Sequence, residues 1–391
     1  MDYRYMIKSI IMNCQAYVAG IGKTQFGKLN ASLPELIYQV MLESLSDAKE
    51  DINKIEAIFL GNFGSSVFNN QLHLGAMTAS LIPGRHIPII KCENACASGG
   101  TAFYQAVNSL MKFNKVMAIG VEKMNQTSGF VNSKNIAMAG DYYFDYKEGV
   151  LFPVAYALMA AEYFKKYNAG VEDLTLVSWK NHRNAKKNYK AHFYRSEVTL
   201  EKIERSMVVA SPLRLYDCSP ISDGAAAVVL SRNKEQSRSV GVAASVLVSG
   251  GLSLVDSNDI TSIETTRVAA RQAYREAGIK AGDINLAQVH DCFTIAEMLA
   301  MEDLGFCKAG EAKLMLRNGE TEISGRLPIN VDGGLKAGGH PLGATGISQV
   351  VEIVTQLRGE AGDRQVNKPE IGLTHNIGGT GGTCVVNILR N

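Results

Sequence analysis

Cys96, His290, Cys292 and His340 are of types and in settings that could do acyl-transfer and proton-transfer chemistry. Cys96 lies in ENACASGG, a small-residue turn that runs straight into a stretch of helical periodicity, so it is expected in the first turn of a helix. The unpaired N–H groups there and the positive end of the helix dipole favour a thiolate, which would activate the sulfur as a nucleophile. A small buried cysteine packed among Ala and Ser is the plainer reading of the same residues. His340 lies in GGLKAGGHPLGATG, where glycines let the backbone and one imidazole come close to a ligand. His290 and Cys292, in HDCF (290–293), end an apolar strand and precede a helix, at the sheet edge where α/β proteins bind ligands. Two residues apart in extended chain, their side chains face the same way. A core cysteine beside a capping histidine would look alike, and HxC without a second pair is weak evidence for zinc, so no metal is expected.

Two further segments have weaker claims. THNIGGTGG (374–382) could line an oxyanion hole with backbone N–H groups, or could be an ordinary hairpin loop. WKNHRNAKKNYK (179–190) is basic enough to meet phosphates, although such a run is more often a solvated helix face. No segment fits a dinucleotide or phosphate-loop motif in the right strand–helix setting.

The elements that must position these residues repeat along the chain. AYVAGIG (16–22), an amphipathic helix at 34–49 and DINKIEAIFLGNF (51–63) are answered by SVLVSGG (245–251), TTRVAARQAYREAGI (265–279) and DINLAQVHDCF (283–293). CASGGTAFYQAVNSL (96–110) aligns without gaps on HPLGATGISQVVEIV (340–354), sharing Gly, Thr, Gln and Val at the same offsets. DGAAAVVLS (223–231) likewise matches TGGTCVVNI (380–388) as a closing strand. Two α/β halves follow, 1–123 with 206–240 and 241–391, and the unmatched stretch 124–205 reads as an inserted loop domain. A pseudo-twofold axis would place Cys96 and His340 at matching edges of one central cleft, as a Cys/His couple.

Composition narrows the class. The 391 residues are 46% hydrophobic, and 40 Lys+Arg against 38 Asp+Glu leave a charge of +2, so no nucleic-acid partner is expected. Seven scattered cysteines with no CxxC argue against a disulfide framework. No apolar run is long enough to span a bilayer and the start lacks a secretory signal, so a cytoplasmic location is expected, with Met12 as an alternative start of the fold.

With CASGG, GGLKAGGHPLGATG, SPISDGAAAVVL and the closing glycine hairpin in this order, the sequence resembles the thiolase superfamily over nearly its whole length. HDCF, FPVAYALMAAEYFKKYNAG, KNHRNA and QLRGEAGDRQV make it similar to the sterol-carrier-protein-x type and its archaeal and bacterial relatives, without the sterol-carrier domain because the chain ends at Asn391. The resemblance implies a five-layer αβαβα fold and a loop domain that helps bind coenzyme A. It further implies a homodimer or homotetramer and, as in archaeal relatives, a possible partner protein. Coenzyme A and its esters would be substrates, with no cofactor. Cys96 would be the acyl-accepting nucleophile, His340 its base and Cys292 the second acid/base. His290 would stabilise the thioester enolate with His340 as a second donor. The N–H groups of Cys96 and Gly378 would form the other oxyanion hole, and Ser249 would contact pantetheine. His375 stands where classical thiolases have the catalytic cysteine. A condensing enzyme of the ketosynthase or hydroxymethylglutaryl-CoA synthase kind is disfavoured by the second cysteine. The remaining alternative is a non-catalytic or partner-dependent acyl-CoA-binding subunit. Phe130, Met138, Tyr142, Tyr143 and Phe144 suit a pocket or a core equally well.

Overall fold

A computed structural model describes residues 16–126 and 129–391. Besides a two-stranded ribbon of Val208–Ala210 and Leu213–Arg214, its strands form one nine-stranded sheet from β1 (Ala16–Lys23), β2 (Ala57–Gly61), β3 (Ile89–Cys92), β4 (Lys115–Glu122), β5 (Gly224–Ser231), β6 (Val240–Ser249), β7 (Leu286–Gln288), β8 (Ile371–Gly378) and β9 (Thr383–Arg390). The order is β3-β2-β4-β5-β1-β6-β9-β8-β7, with the two halves joined where Ala16–Val18 pairs antiparallel with Val240–Val242. The repeat read from the sequence is written into this topology. β2–β4 and β7–β8 are parallel, whereas β4–β5, β5–β1, β8–β9 and β9–β6 are antiparallel. An isolated parallel bridge from Ala287 to Ile329 occupies the place that β3 holds beside β2.

Helix α1 (Leu33–Ala48) starts at a capping box in which Glu35 accepts from the Ser32 N–H, and ends where Lys49 turns left-handed at φ 53°. Its face of Leu36, Ile37, Val40 and Met41 covers one side of the first half. The central layer is α2 (Ser98–Ser109) beside α7 (Thr345–Leu357), and α5 (Glu264–Ala277) covers β6 and β9 on the far side. Alternation along β5 makes the layering concrete. Ala225, Ala227 and Val229 join the α1 core, while Ala226, Val228 and Leu230 join the core around α2 and α7. The result is the five-layer αβαβα architecture. The 124–205 stretch contributes α3 (Phe152–Tyr167) and α4 (Val171–Ala185). Their Tyr156, Tyr163, Leu174 and Val177 share a core with Met298 and Leu299 of α6 (Thr294–Asp303). Among the described residues no helix is long and apolar enough to cross a membrane.

The two central helices start back to back, and glycine sets how close they come. A Cβ on Gly346 would lie 2.1 Å from the Gly100 nitrogen and 2.4 Å from Asn376 Oδ1. Since overpacking a tight core costs about 1–3 kcal/mol and backbone cannot swing aside, Gly346→Ala is expected at or beyond the upper end of that range. Thermal unfolding of the variant checks this; an unchanged midpoint would mean the helices separate freely.

Candidate active site

The turn before α2 is held by side chains. Ser98 Oγ accepts from the Asn94 N–H at 3.0 Å and donates to the Ala95 carbonyl at 2.6 Å, and Asn94 Nδ2 donates to Thr101 Oγ1 at 3.0 Å. Ala95 takes φ 51°, unusual for a residue with a Cβ, and thereby pushes Cys96 out at the head of the helix. Two expectations need correction here. Cys96 precedes the cap residue Ala97 rather than sitting in the first helical turn. Its thiol is not acidified: burial, the largest influence, pushes it up to about 12. The opposing influences are the backbone N–H groups of Gly379 and of Cys96 itself, which favour the thiolate. The closing turn therefore brings Gly379, one residue beyond Gly378, to the sulfur. A Cβ on Gly378 would stand 2.5 Å from the Asn94 carbonyl, so the turn can approach Asn94 only with glycine there.

His340 Nδ1 lies 2.7 Å from Thr345 Oγ1, whose own hydroxyl donates to the Pro341 carbonyl at 3.1 Å. The threonine oxygen must then accept from Nδ1–H, leaving the lone pair of His340 on Nε2. Burial depresses this imidazole to about 3, so it is neutral and can take a proton. Cys96, His290 and His340 present atoms all within 4.8 Å of one another, and the two rings meet edge to face at 5.1 Å. Both Nε2 atoms are buried without a hydrogen-bond partner among the described residues. His290 Nδ1 lies 3.1 Å from Asn376 Nδ2, and burial, followed by His340 and His375, holds this ring well below the usual histidine range.

Cys292 faces the same site. With Cys96, His340, Tyr156 and Gly379 it lines a cavity of about 200 Å³, whose apolar walls include Met124, Ile136, Phe152 and Leu342. Burial and then the neighbouring Cys96 raise its thiol well above the ordinary range, against the smaller opposing influence of the Tyr156 hydroxyl. Tyr156 itself donates to the Gly379 carbonyl at 2.9 Å, tying α3 to the closing turn. Asp291 turns the opposite way, as the strand pleat requires, and accepts from the N–H groups of Leu335 and Lys336 and from Asn181 Nδ2. It thus anchors the glycine-rich loop that carries His340. On the other side Glu122 accepts from the N–H groups of Phe63, Gly64 and Gly343, and burial lifts it to about 7.

The basic run at 179–190 is not a solvated face throughout. Lys180 is buried in a 2.6 Å ion pair with Glu297, Asn184 Nδ2 donates to the Asn330 carbonyl and Asn188 Nδ2 to that of Asp332. These contacts brace the segment leading to His340. THNIGGTGG is a hairpin turn, and it carries the Gly379 N–H toward the nucleophile. His375 points away from the cavity, with Nε2 2.9 Å from Thr266 Oγ1 and Nδ1 accepting the His290 N–H at 3.4 Å. Ser249 is exposed in a separate cleft of about 350 Å³ that passes Gly250, Thr380 and Gly381 of the closing turn. Met138, Tyr142, Tyr143 and Phe144 are exposed, Met138 in a cleft beside Gly378, whereas the Phe130 side chain lies outside the described residues. Sequence reasoning missed Thr345, Asn376, Tyr156 and Gly379. Of these only Thr345 carried a signal, since the repeat aligns it with Thr101.

Residues 16–234 match the family model of the thiolase N-terminal domain, and residues 248–391 that of the thiolase C-terminal domain-like family. An acetyl-CoA acetyltransferase of Methanothermobacter thermautotrophicus is 44% identical over 378 residues, covering 95% of this chain and 98% of the relative. Sterol carrier protein 2 of Homo sapiens is 31% identical, over 96% of this chain and 72% of its own length. Among solved structures, a chain of the Ltp2-ChsH2(DUF35) aldolase superposes with a TM-score of 0.82 at 24% identity, covering 97% of this chain and 98% of that one.

Proposed function

The chain belongs to the thiolase family, and from that premise we propose that it is a catalytically complete acetyl-CoA C-acetyltransferase and 3-ketoacyl-CoA thiolase. The observation that carries this reading is the convergence on Cys96 of a proton acceptor, His340 Nε2, and an N–H donor, Gly379. In the first half-reaction Cys96 attacks the thioester carbonyl while His340 takes its proton, and the N–H groups of Cys96 and Gly379 receive the developing oxyanion. Cys292 gives its proton to the departing coenzyme A thiolate. The acyl-enzyme then holds a Cys292 thiolate beside an imidazolium, which offsets the burial that otherwise keeps this thiol protonated.

In the second half-reaction Cys292 takes the α-proton of a second acetyl-CoA, and Nε2–H groups of His290 and His340 hold the enolate oxygen. Enolate attack on the acyl group releases Cys96, which recovers its proton from His340. Thiolysis is the reverse, with Cys292 activating the incoming thiol. The apolar cavity beside Cys96 suits the acyl end, and the exposed Ser249 cleft suits the pantetheine arm. Assembly as a homodimer or homotetramer, with or without a partner protein, belongs to this proposal.

Incubation with acetyl-CoA followed by peptide mass spectrometry tests the reading. One acetyl group on Cys96, discharged by free coenzyme A, is expected. Protein that binds acetyl-CoA without ever acquiring the acetyl group would instead be a binding subunit.

A further inference from the structure

We infer that Asn376 is the positioning residue that fixes His290 as a hydrogen-bond donor, giving the two site histidines opposite tautomers. The inference rests on the thiolase reading for its catalytic consequence but not for its geometry. Asn376 lies on β8, whose pleat sends His375 to the α5 face and Asn376 toward α2. There its Oδ1 accepts from the Gly100 N–H at 3.2 Å. A backbone N–H can only be met by the oxygen, so the amide cannot be turned over. Nδ2 is then the donor, at 3.0 Å to the Cys96 carbonyl and 3.1 Å to His290 Nδ1.

An amide N–H directed at Nδ1 requires a lone pair there, and in a neutral imidazole the proton then sits on Nε2. His290 is neutral because it is fully buried. Its Nε2–H is unpartnered among the described residues, a donor held ready with nothing to reorganise. His340 is the reverse case, its Nε2 lone pair imposed by Thr345. One face of the site therefore donates and the other accepts, which matches an enolate oxygen at His290 and a thiol proton at His340. The same assignment takes Nε2 of His290 out of the lone-pair set that a metal would need at the Cys96, His290 and His340 cluster.

The seat for this amide is made by glycine. A Cβ on Gly100 would come within 2.8 Å of Asn376 Oδ1 and one on Gly346 within 2.4 Å. Asn376 thus joins the backbone of the nucleophile turn, the head of α2 and the ring of His290 in one buried residue.

Two measurements test it. In wild-type protein labelled with ¹⁵N-histidine, long-range ring correlations should show His290 protonated on Nε2 and His340 on Nδ1; a His290 proton on Nδ1 would overturn the inference whether or not the protein is a thiolase. In Asn376→Asp the carboxylate can only accept, so it should draw the His290 proton to Nδ1 and leave Nε2 without one. Exchange of acetyl-CoA α-protons in D₂O should then fall about a hundredfold, the effect of losing one oxyanion donor, and by at least ten times more than acetylation of Cys96, which loses only the Nδ2 donor to its carbonyl. An equal loss in both steps would assign Asn376 to packing alone. Acetylation without exchange in wild-type protein would count against the thiolase reading and leave the tautomer result standing.

Discussion

Cys96→Ala is expected to lower thiolysis of acetoacetyl-CoA by about four orders of magnitude, some 5.5 kcal/mol of barrier, with the ester still bound. No other described thiol stands at a helix head with N–H groups from two segments aimed at its sulfur. The pH dependence separates two ways in which that thiol could be activated. A preformed thiolate or an ordinary exposed thiol would make acylation climb with pH up to a midpoint at or below about 8.5. Here burial holds the thiol up near 12 and His340 down near 3, so neither partner changes charge across the neutral range. The expected acylation rate is therefore flat between about pH 6 and 9, because the proton moves within the pair as the sulfur attacks. His340→Ala removes the acceptor and should restore a rate that rises with pH. A wild-type rate that already climbs tenfold per unit would show that the thiolate forms first. Stopped-flow release of coenzyme A from acetyl-CoA, read across that range, decides between them.

The topology was legible because duplication leaves a periodic trace that needs no knowledge of packing. Asp-Ile-Asn before β2 and β7, and the gapless match of 96–110 with 340–354, fix which strands correspond and bring Cys96 to His340. What escaped depends on neighbours that only the fold supplies. The helix-dipole argument for an acidic Cys96 was sound locally but was outweighed by desolvation, a property of everything packed around the turn. Asn376 and His375 are adjacent, and only the register with β9 shows which of them faces α2. Gly378 and Gly379 differ in the same way, by one step around a turn. The run WKNHRNAKKNYK looked solvated because charge signals exposure on average, yet Lys180 finds Glu297 of α6, a pairing that no local pattern announces.

Cys292→Ala should divide the reaction. Acetylation of Cys96 needs His340 and the N–H donors, none of which the substitution touches, so acetyl transfer from acetyl-CoA persists, slowed only by the loss of a proton for the departing thiolate. Condensation and thiolysis both need a group that exchanges a proton with carbon or with the incoming thiol, and these should fall about a thousandfold. The structure offers no ready substitute. Tyr156 is hydrogen-bonded to Gly379 and raised well beyond its ordinary range by burial, His375 faces the opposite layer, and His290 has its Nδ1 occupied by Asn376. Cys292→Ser sharpens the test, since a hydroxyl keeps the size and the Tyr156 contact but is a far weaker acid. If serine matches alanine, proton transfer is the role; if serine restores most of the activity, Cys292 serves by filling space beside Tyr156. Rapid-quench measurement of acetyl-Cys96 alongside steady-state thiolysis gives both rates from one preparation. Equal loss of both would mean the two half-reactions share this thiol from the first proton transfer onward.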